Sequence, residues 1–328
     1  MTNFYKSKNI LVTGGAGFVG TNLIERLVSL GANVKASLHR NNPIKKNEKV
    51  EYISCDLIDS NQCNEICNNI DYVFMCAANT SGANVILNTP LVHLTPNIIM
   101  NMNMLASSYK NGVKKFLFLS SNTVYPVSDK AVKENDVNNE FFHSYHIVAW
   151  MKRFTEIVCD MYSTKISDPM ETIVVRPGNL YGPYDKFDRE KSKVIPALIR
   201  RAVEKQDPFE VWGDGMDLKD FLYIDDFIEG LLLSMELLKS SDPINIAFGS
   251  AITIKDVLKE ILVATNHNDV SVKYDASKPT MIPKRLIEIS LAKKRLDWQP
   301  KINIKVGIQK TVDWYTSEFS NKSPEDYS

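Results

Sequence analysis

The chain has little of what would tie it to nucleic acid, to a membrane or to an oxidising compartment. Lys plus Arg and Asp plus Glu are 39 each in 328 residues, so no charge excess draws it onto nucleic acid or an anionic surface. No apolar run approaches the roughly 18 residues of a membrane span. The cysteines are five (Cys55, Cys63, Cys67, Cys76 and Cys159), an odd number in a long chain. Cys63 and Cys67 stand four apart, but no second Cys/His cluster completes a metal site, and no metal is expected. They read as reduced, partly buried thiols of a cytoplasmic protein. Internal repeats and low-complexity segments are missing. The N-terminus enters a strand pattern without a charged leader and apolar core, so no targeting segment is expected.

What is present begins at Ile10-Leu11-Val12-Thr13-Gly14-Gly15-Ala16-Gly17-Phe18-Val19-Gly20. An apolar strand runs into glycines at 14, 17 and 20, and Leu23, Ile24, Leu27 and Val28 follow at helical spacing. Gly14 suits the positive φ of a tight turn. Gly17 lets the backbone approach a pyrophosphate, and Gly20 lets the helix pack against its strand. The first amides of that helix, at Phe18 and Val19, are unpaired donors for phosphate oxygens. A glycine triplet alone is a weak signal; strand before and helix after make it a dinucleotide-binding turn.

With 44% hydrophobic residues the chain can bury the core of two subdomains. Strands are expected at Asn33–Leu38, Glu51–Ser54, Asp71–Cys76, Phe116–Leu119 and Thr172–Val175, alternating with helices as in a doubly wound parallel sheet. The second strand ends in Leu38-His39-Arg40, with no acid for an adenosine ribose 2′-hydroxyl. His39 and Arg40 permit a 2′-phosphate or are merely solvated. Asp56-Leu57 after the third strand either faces the adenine amine or, through Asp56, caps a helix. Ala77, Ala78, Thr80 and Ser81 after the fourth leave room for ligand at the sheet's carboxyl edge. A helix spans Asn97–Lys110, its Met and Leu residues at 100, 102, 104 and 105 reading as core. Arg176–Asp188 reads as loop, Val194 to about Glu204 as helix, and Phe221–Ile224 as a return to the sheet. No linker separates the halves, so a smaller domain assembled from two segments is expected.

Ser121 stands at the end of the fifth strand, and Tyr145 opens the next helix. Such a hydroxyl and phenol can converge on one substrate oxygen, the phenol exchanging a proton while hydride moves to or from a nicotinamide.

The turn at Thr13–Gly20, Ser121-Asn122-Thr123-Val124-Tyr125, Tyr145, Arg176-Pro177-Gly178-Asn179-Leu180-Tyr181-Gly182-Pro183, Trp212-Gly213-Asp214-Gly215 and Phe221-Leu222-Tyr223-Ile224-Asp225-Asp226 together resemble the extended short-chain dehydrogenase/reductase (epimerase/dehydratase) family of nucleotide-sugar enzymes. Tyr184–Asp188 and Val194–Ile199 resemble its GDP-fucose-synthase-like branch. The resemblance covers nearly the whole chain. It implies a Rossmann sheet over 1–178 plus about 218–248, and a nucleotide-sugar domain over 179–217 plus 249–328. It implies NAD at Gly14, Gly17, Phe18, Val19, His39, Arg40, Asp56, Leu57, Ala77, Ala78, Tyr145 and Pro177, with NADP as the alternative. Thr80, Ser81, Asn179, Lys193, Val194, Trp212 and Lys219 would contact the nucleotide-sugar, Trp212 otherwise being a core aromatic and Lys219 a surface charge. A homodimer through two helices per subunit is also implied.

The departures narrow the chemistry. The family's lysine, four residues after its tyrosine, falls on Ala149, and without that charge Tyr145 is a weak base at neutral pH. Lys152 lies seven residues along, about 10 Å by helix rise, too far for a direct replacement. The dehydratase acids are replaced by Asn122 and Thr123, and the epimerising Cys and His by Thr123 and Lys193. What remains is hydride transfer at a sugar carbon, C4, with Ser121, Tyr145 and Thr123 at the oxygen; the resemblance to the GDP-fucose-synthase-like branch implies that the sugar is GDP-linked. A 4-epimerase is the nearest alternative, and a catalytically weakened binding protein is an alternative of another class.

Overall fold

The computed structural model describes residues 3–79, 89, 91–189, 192–278 and 282–319. Six strands come first: β1 (Asn9–Thr13), β2 (Asn33–Leu38), β3 (Val50–Ser54), β4 (Tyr72–Met75), β5 (Lys115–Leu119) and β6 (Glu171–Pro177). With β11 (Ile244–Ile246) they make one sheet in the order β11-β6-β5-β4-β1-β2-β3, every pairing parallel. Strand order reverses between β1 and β4, so a crevice opens at the carboxyl ends of those two strands. The fold class is the expected Rossmann-type α/β sheet.

Alternation along β1 sorts the core. Ile10 and Val12 pack on one face with Leu23 and Leu27 of α1 (Phe18–Ser29), and Leu11 packs on the other. That second face is covered by α2 (Ser60–Ile66), α3 (Leu91–Lys110) and α4 (His146–Thr164), through residues such as Cys63, Met104, Leu105 and Cys159. The Met/Leu run of α3 is therefore core, as read.

The helix α3 begins at Leu91, six residues before the expected start, and contains Pro96. Proline removes an amide from the ladder and frees the carbonyl four residues back. That carbonyl, on Val92, accepts the side-chain amide of Asn79 at 3.0 Å, so the helix continues through its proline.

Beyond β6 the chain forms three two-stranded sheets. β7 (Asn179–Tyr181) pairs with β10 (Phe221–Tyr223), β8 (Phe209–Trp212) with β13 (Val272–Asp275), and β9 (Leu218–Lys219) with β12 (Ile252–Thr253). Helices α5 (Val194–Val203), α7 (Ile254–Ala264) and α9 (Ile304–Phe319) pack with them, while α6 (Ile224–Leu237) and α8 (Ser290–Leu296) lie beside β6 and β11. Two expectations are corrected here. Phe221–Tyr223 does not rejoin the main sheet, which is closed instead by β11, a buried strand of three residues too short to give a periodic signal. The expected loop 176–188 contains β7, whose amide at Asn179 is taken by Asp220 O at 2.8 Å.

Candidate active site

The glycine turn closes on itself. Gly14 has φ +71°, Gly17 N–H donates to Gly14 O at 2.9 Å, and Gly14 N–H donates to Ser37 Oγ of β2 at 3.1 Å. A β-carbon on Gly14 would lie 2.9 Å from Ala77 Cα, and one on Gly20 would lie 2.2 Å from Gly14 O. Thr13 Oγ1 accepts the amides of Cys76 and Ala77 at 3.1 and 3.0 Å, fixing the end of β4 beside the turn.

Helix α1 starts on Gly17 with no side-chain cap and no acid in its first turn, and Lys193 Nζ stands 5.8 Å over the Phe18 ring. An uncapped, locally positive helix end against small residues fits the pyrophosphate of a dinucleotide. At the end of β2, His39 and Arg40 are exposed, and His39 Nε2 is 3.9 Å from Asp56 Oδ2. Asp56 does not cap α2; Asp59 does, its carboxylate accepting the amides of Asn61 and Gln62. The other oxygen of Asp56 accepts Ile58 N–H at 3.0 Å, and Leu57 is buried with its carbonyl held by Cys63 Sγ and Asn103 Nδ2.

The loop after β5 carries the hydroxyls. Ser121 caps a 3-10 turn over Asn122–Val124: its Oγ accepts Thr123 N–H at 3.2 Å and Thr123 Oγ1–H at 2.9 Å. Both lone pairs are thus used, and the Ser121 O–H remains a donor. Asn122 Nδ2 donates to Pro177 O at 2.9 Å, tying this turn to the end of β6.

Tyr145 is the N-cap residue of α4, half-buried, and its phenol makes no hydrogen bond among the described residues. Burial pushes its pKa above the usual value, so the group is a phenol and not a phenolate at neutral pH. Ala149 is fully buried.

Lys152, too distant by helix rise to replace the family's lysine, is tied to the end of β5. Lys152 Nζ donates to Leu119 O at 2.8 Å, at the end of β5, and lies 4.9 Å over the Phe118 ring. Desolvation lowers its pKa to about 8 against the opposing charges of Cys76 and Glu156. The turn after it anchors the helix: Glu156 is bound by Arg176 through Nε and Nη2 at 2.8 and 2.7 Å, and by Ser120 Oγ at 2.6 Å. Arg176 Nη1 also reaches Tyr125 OH at 3.0 Å. The available signal was a Lys four residues before a Glu, which places both on one helix face.

Of the residues expected to meet substrate, Thr80 and Ser81 lie outside the described residues. Trp212 is 51% exposed, which excludes the core reading, and Lys278 Nζ sits 5.8 Å from its ring centre. Lys219 is not a free surface charge. It is half-buried, pairs with Asp217 at 3.0 Å and also donates to Ile282 O. Asn179 Nδ2 donates to Asp220 O at 3.0 Å, Lys193 precedes α5 as its N-cap residue, and Val194 is 36% exposed.

The sequence model of the NAD dependent epimerase/dehydratase family matches residues 10–247. The chain belongs to that family. Among its relatives is "Probable GDP-L-fucose synthase 1" of Oryza sativa subsp. japonica, 30% identical over 94% of this chain and 92% of the relative. Another is "GDP-mannose 3,5-epimerase 1" of Oryza sativa subsp. indica, 29% identical over 96% of this chain and 84% of the relative. A solved UDP-glucose 4-epimerase from Thermotoga maritima, with UDP-glucose, superposes with a TM-score of 0.85 at 26% identity, covering 94% of this chain and 99% of that one. This epimerase/dehydratase member is an enzyme of the short-chain dehydrogenase/reductase type, with NAD as its cofactor.

Proposed function

We propose that this enzyme transfers hydride at C4 of a nucleotide-linked sugar, probed first with GDP-linked sugars, as a 4-dehydrogenase or 4-keto reductase. The glycine turn, Phe18, Val19, Ala77, Ala78, Asp56 and Leu57 would hold the NAD, with His39, Arg40 and Pro177 along its length. The bound nicotinamide supplies the hydride acceptor or donor. Ser121 and Tyr145 hold the reacting oxygen as donors, and Thr123 orients Ser121. Thr80, Ser81, Asn179, Lys193, Val194, Trp212 and Lys219 form the nucleotide-sugar side. The division into a cofactor domain (1–178 with about 218–248) and a sugar-nucleotide domain (179–217 with 249–328) belongs to this proposal, as do a homodimer and a cytoplasmic location.

One observation carries the reading: the Ser121 hydroxyl has both lone pairs filled by Thr123, so it can only donate, as a carbonyl or alkoxide oxygen requires. It stands at the carboxyl end of β5, in the same edge as the glycine turn. The acids of a dehydratase and the Cys and His of a C3/C5 epimerase are replaced here by Asn122, Thr123 and Lys193, which argues against carbon-acid chemistry despite the 3,5-epimerase relative. The 4-epimerase alternative is favoured by the likeness to the solved UDP-glucose 4-epimerase and differs only in returning the hydride to the other face. Incubating the NAD-loaded enzyme with GDP-, UDP- and dTDP-hexoses tests both. Absorbance growing at 340 nm with a keto product supports the dehydrogenase, and a C4-inverted sugar without net NADH supports the epimerase. No change with any of them removes the reading.

A further inference from the structure

Four residues separate tyrosine from lysine in the family pattern, and neither group of this chain meets that spacing. One turn before Lys152 stands Val148, and one turn after Tyr145 stands the buried Ala149. The two polar groups are therefore decoupled. No cation contributes to the titration of Tyr145, and its phenol has no described hydrogen-bond partner.

Lys152, by contrast, is built into the sheet edge. Its ammonium spends one N–H on Leu119 O, two residues before Ser121, and among the described residues its other two N–H bonds have no acceptor. The groups facing it are few. From β5 come the Phe118 ring and the Leu119 carbonyl; from the end of β4 comes the Cys76 thiol, itself pushed up to about 12 by burial. From its own helix comes Glu156, whose two oxygens are already taken by Arg176, Arg153 and Ser120. Among the described residues no carboxylate hydrogen-bonds the ammonium, and the Glu156 charge offsets only part of its desolvation.

We propose that Lys152, and not Tyr145, is the group that takes up and returns the substrate proton. This rests on the hydride-transfer reading. In oxidation the C–H electron pair leaves carbon as hydride for the cofactor and the substrate O–H bond breaks. The C=O bond forms, and the proton ends on the neutral Lys152 amine. Reduction runs the same steps backwards, the ammonium giving up its proton to the new hydroxyl. Tyr145 stays protonated throughout and only donates a hydrogen bond.

The test compares wild type, Tyr145→Phe, Lys152→Arg and Lys152→Met on the NAD-loaded protein. The readouts are the pH profile of kcat/KM in oxidation, the NAD affinity by tryptophan quenching, and the 13Cε shift of the labelled lysine. The wild-type rate should rise tenfold per pH unit to a break near 8, and the lysine shift should titrate at the same pH. Tyr145→Phe should lower the rate about tenfold and keep the break. Lys152→Arg, which keeps the charge and cannot release the proton, should lose at least a hundredfold with NAD affinity changed less than threefold; Lys152→Met should lose as much. Activity retained in Lys152→Arg, or a break that vanishes in Tyr145→Phe, overturns the proposal and leaves the hydride-transfer reading standing. Absence of turnover in the wild type with every nucleotide-sugar overturns both.

Discussion

Gly20 illustrates how one hydrogen atom in place of a methyl group sets the glycine turn. A β-carbon there would sit 2.2 Å from a backbone carbonyl, which cannot swing away as a side chain can. Gly20→Ala should therefore displace the Gly14–Gly17 turn, weaken NAD at least tenfold in a fluorescence titration and lower stability by about 1–3 kcal/mol. Trp212 is the opposite case. Half-exposed, it supports no core, so Trp212→Ala should leave the melting temperature nearly unchanged. If it stacks on the nucleotide base, the substitution should raise the KM for the sugar nucleotide about tenfold or more, since a stacked base is worth about 1–3 kcal/mol. An unchanged KM would take Trp212 out of the site. Glycine spacing is legible in sequence because the turn is built from consecutive residues. The role of Lys152 was not, because its partner Leu119 is a main-chain carbonyl 33 residues away, and a carbonyl carries no sequence signature.

Helix α4 and strand β6 are locked by charge as well as by packing. Glu156 and Arg176 are both almost wholly buried, and the carboxylate accepts from Arg176 and Ser120 together. Removing one partner strands the other without solvent, so Glu156→Leu should cost about 3–5 kcal/mol in urea unfolding. The helix would then lose the anchor one turn beyond Lys152. The segment between β9 and β10 holds a second buried acid. Asp220 accepts the amides of Phe248 and Gly249 at 2.8 and 2.9 Å, yet burial raises its carboxyl to about 7. The folded state binds that proton more tightly than the unfolded chain does. Its contribution is therefore full below about pH 4 and is lost as the pH rises to about 7, a change on the order of 4 kcal/mol. Measured as the unfolding free-energy difference between wild type and Asp220→Asn, this should appear as a declining wild-type advantage from pH 4 to 7 and a flat line above. A difference independent of pH would mean that Asp220 stays ionised throughout.

At the scale of the molecule, α3 and α4 turn large side chains outward on the side away from the sheet. Tyr109, Trp150, Phe154 and Met161 are between 37% and 50% exposed. In the proposed homodimer two copies of this helix pair would cover these side chains. Phe154→Glu with Trp150→Glu should give a folded monomer by sedimentation velocity where the wild type sediments as a dimer; a wild-type monomer would remove the homodimer. Among the described residues no helix is long and apolar enough to cross a membrane. The sequence by itself determined the parallel sheet, the glycine turn and the hydroxyl at the end of β5, because each is written in short-range periodicity or spacing. The tertiary structure alone decided that β11 and not β10 closes the sheet, that α3 runs through Pro96 on a hydrogen bond from Asn79, and that Lys152 faces the sheet's carboxyl edge. Those three depend on partners distant in the chain, whose pairing is chosen by the packing of the whole fold.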